Sequence, residues 1–154
     1  MDPHELIRPG QAQRLVAARQ TAGREIGELA ALLGISVEWY RDVESFDEEM
    51  VDTLSFDQLL KLCSSLGIEP RGFFDAHDLG HVTFAELADR LRNVTAEGGA
   101  ALARLEDEVG WELRTYLDAP DTFAELPPIA LADIGARFGL DWRNFLPASG
   151  RGYG

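Results

Sequence analysis

Cysteine is close to absent from this chain of 154 residues: Cys63 stands alone. A single thiol excludes an internal disulfide framework and suits a reducing, cytoplasmic setting. Its spacing with Leu59, Leu60 and Leu66 predicts a small buried hydrophobe, not a nucleophile. No apolar run approaches the length that spans a bilayer. The brief apolar cluster near the start is followed by Pro9-Gly10 and lacks signal-peptide order. Basic charge is scarce too: 14 Lys plus Arg, of which only Lys61 is lysine, stand against 27 Asp plus Glu. The net charge is −13 and the pI near 4.5. A duplex-binding protein gains most of its non-specific affinity by neutralising phosphates. At −13 a chain must gather its few cations on one face or be repelled. Composition also excludes wholesale disorder, since 45% of residues are hydrophobic and 9% aromatic.

What the chain does have is helical patterning. Gln11 to Ala22 reads as a first helix with Leu15, Val16 and Arg19 inward, ended by Gly23. The organising stretch is Leu29 to Ser45, two short helices joined by a tight turn. Leu29, Leu32 and Leu33 repeat at helical spacing, and Ala30 is small enough to let a second helix approach. Gly34 suits the left-handed position that stops a helix, and Ile35 turns into the core behind it. Ser36 is an N-cap for Val37 to Ser45, whose Trp39, Tyr40 and Val43 share one face. Phe46 to Leu54 reads as an acidic connection. Ser55 to Gln58 is a capping box for a fourth helix running to Leu66 and stopped by Gly67, with Ile68, Phe73 and Phe74 closing the core from below. This is helix-turn-helix grammar.

Those residues carry a resemblance. Gln11 to Asp75 is similar to the Cro and phage-repressor family, also called the XRE family. The matching positions are Leu29-Ala30, the Gly34-Ile35-Ser36 turn, Glu44 closing the third helix, and the ending Leu62 to Phe74. In DNA-binding members of the family the exposed start of the third helix enters the major groove. The resemblance therefore makes Val37, Glu38, Trp39, Arg41 and Asp42 the partner- or DNA-facing residues, with Arg24, Glu25 and Ile26 at the start of helix two. A groove-reading face usually carries donors to base edges. Here Arg41 is a donor, Glu38 and Asp42 are acids, and Glu25-Ile26 stands where the family often has a Ser-Gln pair near phosphate. Acids at helix N-termini have a plain structural explanation in the helix dipole. That covers Glu25 and Glu38 but not the scarcity of basic surface.

The second half repeats the first at an offset of 72 to 74 residues. Leu59 falls on Leu131, Leu62 on Ile134, Leu66-Gly67-Ile68 on Phe138-Gly139-Leu140, and Phe73-Phe74 on Phe145-Leu146. Leu29-Ala30 falls on Leu102-Ala103, and Thr83 to Glu86 is a capping box where the repeat needs its first helix. Such a period is too long for a solenoid unit and suits duplicated domains. The second copy is divergent: Glu106-Asp107-Glu108 stand where Leu33 and Gly34 would be, so the turn glycine is displaced, and Gly98-Gly99 interrupts its second helix. Its equivalent face is Trp111, Glu112, Arg114 and Thr115. The expected fold class is all-α, with tandem four-to-five-helix repressor-like helix-turn-helix domains. The expected divisions are a tail over 1–10, a first domain over 11–76, a linker over 77–82, a divergent second domain over 83–147 and a flexible tail over 148–154.

Chemistry beyond binding finds little support. His77 and His81, with Asp75 and Asp78, superficially outline a metal clamp, but Gly80 weakens a helix between them and nothing completes a tetrahedral set. No phosphate-binding loop, zinc-protease helix or nucleophile elbow occurs. The expectation is no enzyme, no catalytic residue, no metal and no cofactor. Trp39, Trp111 and Trp142 sit near helix starts and serve either the core or a binding surface. The expected function is regulatory, in a bacterium or its mobile elements, through contact with another protein: a basic transcription regulator or a toxin. The alternative is a sequence-specific DNA-binding regulator, which needs Arg24, Arg41 and Arg14 or Arg19 to cluster at the start of helix three. A homodimer through the fourth helix and Phe73-Phe74 is compatible with either.

Overall fold

The computed structural model describes residues 10–94, 99–110 and 112–147. The tails assigned to 1–10 (Gly10 excepted) and 148–154, and the positions Gly98 and Trp111, lie outside the described residues. Among those described, all regular structure is helical. The first half holds α1 (Gln11–Ala22), α2 (Ile26–Leu33), α3 (Val37–Ser45), α4 (Glu49–Asp52), α5 (Phe56–Ser65) and α6 (Pro70–Phe73). The second holds α7 (Phe84–Val94), α8 (Gly99–Val109), α9 (Arg114–Asp118), a 3-10 helix at Pro120–Glu125, α10 (Pro128–Gly135), and 3-10 turns at Ala136–Phe138 and Trp142–Phe145. No helix among the described residues is long and apolar enough to cross a membrane.

Local signals place the first half's elements. Asp47 accepts the backbone N–H groups of Gly10 and Ala12, at 3.0 and 2.8 Å, satisfying donors that the start of α1 leaves open. Gly34, at φ 70°, ends α2 in the left-handed conformation, and Ser36 Oγ accepts from the Trp39 N–H at 3.0 Å to start α3. The Ser55–Gln58 box is closed in both directions, at 3.0 and 2.9 Å. Gln58 then uses its amide to donate to Leu33 O at 2.8 Å, fixing α5 against the end of α2.

Three expectations change. Leu32 is 43% exposed, because the eight-residue α2 turns Leu29, Ala30 and Leu33 inward and leaves Leu32 outside. The acidic connection contains α4, which buries Met50 and Val51 and packs on α10. In the second half α8 runs straight through Glu106-Asp107-Glu108, and the left-handed glycine that follows is Gly110, at φ 78°. Glu106 accepts the N–H of Leu113 at 2.7 Å across that turn, standing in for the missing serine cap.

The halves pack on one another. One apolar core runs from Leu15 to Leu146 and includes residues from almost every helix. Segment 77–82 is pinned to it: Val82 is buried and donates its N–H to Asn144 O at 2.9 Å, while the Asn144 amide donates to Gly80 O at 2.8 Å.

Candidate functional site

The face of α3 divides by chemistry. Tyr40 and Val43 are fully buried, and Val37 and Trp39 lie half-buried against the core. The Trp39 indole donates to Thr53 Oγ1 at 2.8 Å, which fixes the ring along the α3–α4 corner. Glu38, Arg41 and Asp42 are exposed, so the outward side of α3 offers two carboxylates around one guanidinium. Arg24 and Glu25 precede α2, and Ile26 begins it. Glu28 accepts the Glu25 N–H at 3.2 Å, so the acids there cap the helix, and Ile26 packs partly against the core.

Three of the four first-half arginines singled out by the sequence each face a carboxylate. Arg14 lies over the Phe73 ring, 4.8 Å from its centroid, and faces Asp75 at 3.8 Å. Arg19 grips Glu44 with two nitrogens, at 2.6 and 3.2 Å, and also donates to Arg24 O. This pair is largely shielded from solvent and ties α1 to the end of α3; the Glu44 carboxylate holds the guanidinium more firmly in its charged form. Tyr40 sits beside it, and burial, reinforced by Glu44, pushes the phenol well above its ordinary range. Arg24 faces Glu28 at 3.5 Å. Arg41 pairs with no carboxylate among the described residues.

In the second half, Glu112 lies in the turn after Gly110, and Arg114 and Thr115 form the exposed first turn of α9, while Leu113 beside them is fully buried. Trp111 lies outside the described residues. Arg114, like Arg41, pairs with no described carboxylate. A shallow hollow beside this turn is lined by Ala103, Glu106, Asp107, Gly110 and Glu112, and a second by Gly10, Ala12, Gln13 and residues 44–48. Both are acidic.

The remaining candidates have other surroundings. Trp142 is buried in an aromatic cluster with Phe56 and Phe74, so it belongs to the core. His77 lies against Gly72 beside Glu69; a Cβ on Gly72 would come within 3.0 Å of Glu69 Oε2 and 3.3 Å of His77 Nε2. No group of three or more His, Cys, Asp or Glu side chains among the described residues is placed to hold a metal ion. Cys63 is buried, and desolvation pushes its thiol up to about 12.

Sequence patterning misses Arg71 and Arg143, two residues whose side-chain hydrogen bonds join the halves. Arg71 is 3% exposed and donates to the carbonyls of Ala76, Leu79, Asn144, Leu146 and Pro147. Their one available signal is that they fall at the same place in the repeat, 72 residues apart. No family model, curated protein or solved structure matches this chain.

Proposed function

We propose that this chain is a non-enzymatic, cytoplasmic regulator of the repressor-like helix-turn-helix type, built from two such domains in tandem, and that it acts by contact with a basic protein. The partner class is a transcription regulator or a toxin whose cationic surface the acidic helices cover. The carrying observation is the fate of four arginines. A duplex contact needs Arg24, Arg41 and Arg14 or Arg19 to act together near the start of α3. Arg14 is drawn to Phe73 and Asp75, Arg19 to Glu44, and Arg24 to Glu28. Arg41 remains, between Glu38 and Asp42. The surface pair at Arg24 contributes little energy, but it still places a negative charge beside the cation where a phosphate would come.

A second reading, sequence-specific DNA binding, is favoured by one observation: Arg41 and Arg114 are both exposed and unpaired with any described carboxylate, one in each half. Fluorescence anisotropy against labelled mixed-sequence and native-promoter duplexes separates the readings. The protein-contact reading expects no binding tighter than about micromolar, even at low salt. Tight promoter binding that falls steeply with salt overturns it. Replacing Glu38 with Gln and Asp42 with Arg should raise non-specific duplex affinity, with a steeper salt slope than the native chain shows.

A further inference from the structure

We infer that the two halves form a pair about an approximate two-fold axis, so that one chain is built as a closed dimer of like units and each unit's pairing face is already filled by the other half. The repeat supplies the equivalences. Gly67 and Gly139 are both left-handed, at φ 66° and 69°. Ile68 donates its N–H to Cys63 O at 2.9 Å, and Leu140 donates to Gly135 O at 2.9 Å, the same bond moved by 72 residues. Three packings recur in both halves: α1 with α3 and α7 with α9, α2 with α5 and α8 with α10, α3 with α4 and α9 with the 3-10 helix at Pro120–Glu125; the close packing of α2 on α3 and of α7 on the 3-10 helix is not matched to the same extent.

Between the halves the contacts are reciprocal, and this distinguishes a two-fold pair from a head-to-tail array. The fourth element of each half packs on the fifth of the other: α4 lies on α10, and the Pro120–Glu125 helix lies on α5. The arginines exchange in the same sense. Arg71 donates to Leu146 O at 3.0 Å and Pro147 O at 2.9 Å, and Arg143 donates to Phe74 O at 2.8 Å and Asp75 O at 3.4 Å. Each arginine thus holds the end of the opposite half, at positions equivalent under the same 72-residue shift. A head-to-tail repeat would use one of these contacts and leave the other open. The symmetry breaks where the sequence forces it. Phe56 donates its N–H to Leu126 O at 2.8 Å, while its counterpart Pro128 has no N–H to return the bond.

The consequence is that the α5 and Phe73-Phe74 face, through which two chains would otherwise pair, is taken within the chain, so a single chain is the working unit. Sedimentation velocity over roughly 5 to 200 µM tests this without any partner protein. The expected result is one species of 17.0 kDa throughout. Phe56→Glu, which disturbs the contacts of Phe56 with Phe84 and Trp142, should keep that mass and lose most of its thermal stability. A native chain of twice the mass, reduced to one chain by Phe56→Glu with the unfolding midpoint unchanged, overturns the inference. Should Phe56→Glu fail to fold, Arg143→Ala gives the same decision. A midpoint lowered by roughly 3–8 °C at constant mass supports an internal pair, and an unmoved midpoint overturns it.

Discussion

The two halves carry nearly the same charge but hold their helices in place by different means. Residues 10–82 contain six basic and 13 acidic side chains, net −7, and residues 83–147 contain six and 12, net −6. The first half is specified by short-range signals: Ser36, the Ser55–Gln58 box, and an ion pair between Arg19 and Glu44. At the position equivalent to Arg19 the second half has Leu91, fully buried. Its central helix α10 is apolar nearly all round, burying Pro128, Ala130, Leu131, Ala132, Ile134 and Gly135, whereas α5 keeps Asp57, Lys61 and Ser64 in solvent. The second half keeps two local caps, at Thr83 and in the Asp141–Asn144 box, but α9 and α10 start without a side-chain cap and depend on packing. A helix can lack a cap and keep its place when a partner surface is always present.

The largest expected effect breaks that partnership. Arg71→Met takes a donor from five carbonyls, of which only Ala76 O and Asn144 O keep another among the described residues, from the N–H groups of Leu79 and Val82, and should cost about 3–5 kcal/mol in urea denaturation. Arg143→Met should cost about half as much or less, since Arg143 is nearer solvent and spends two of its four side-chain hydrogen bonds on Asp141. Two separate unfolding transitions in Arg71→Met, reported by Trp39 and Trp142, would show that the halves keep independent stability.

Alkaline pH distinguishes the halves next. Cys63 titrates near 9.0 when exposed and is pushed up to about 12 by burial, and burial raises Tyr40 as well. Both groups fold in their neutral forms, so their contribution is fully present below about pH 9 and is lost as pH rises toward 12. Three pH units on Cys63 set a ceiling of roughly 4 kcal/mol. Cys63→Ala should flatten the pH dependence of stability between 9 and 12. Tyr116 is raised too, by a smaller burial, so the second half should contribute less.

A smaller effect tests the ion pair. Glu44→Gln removes the carboxylate that Arg19 grips between α1 and α3, and should cost about 1–3 kcal/mol in chemical denaturation. At the corresponding α7–α9 contact Leu91 stands where Arg19 does, and the charged donor is Arg92, which bonds a carbonyl, Leu117 O.

Much of this was legible and some was not, for identifiable reasons. The bounds of α1, the Gly34 stop, the Ser36 cap and the Ser55 box follow from single residues acting on their own neighbours, and such signals survive without tertiary context. The α4 helix did not show, because two apolar residues among Asp47, Glu48, Glu49 and Asp52 make no period. The spacing 29, 32, 33 fits a helix face without saying where its edge lies, so it does not reveal that Leu32 stays outside. Arg71 was passed over because a buried guanidinium satisfied by carbonyls has no local signature; its partners lie up to 76 residues away. The exposed positions Glu38, Arg41 and Asp42 were legible as surface, since nothing apolar recurs with them.

The smallest effect bears most directly on whether the two turns are equivalent. Gly34 and Gly110 both lie in the left-handed region, at φ 70° and 78°, and a Cβ on either meets nothing within 4 Å. Replacement by alanine therefore adds no clash in either half. What remains is the backbone preference, about 1 kcal/mol for an L-residue held at positive φ. Gly34→Ala and Gly110→Ala should lower stability by that same amount in thermal denaturation, and Asn at either site should lower it less, because its side chain tolerates this conformation. Unequal alanine costs would break the equivalence in an informative direction. The Gly34 turn is closed by the Ile35 N–H bonding to Ala30 O at 3.0 Å, and the Gly110 turn by Glu106 reaching Leu113. A backbone bond cannot relax without unwinding α2, whereas a side-chain acceptor can follow a shifted loop. A cheaper Gly110→Ala would mean that the second turn holds its helices less strictly than the first, and that its position is imposed by the packing of α10 instead of by the turn itself.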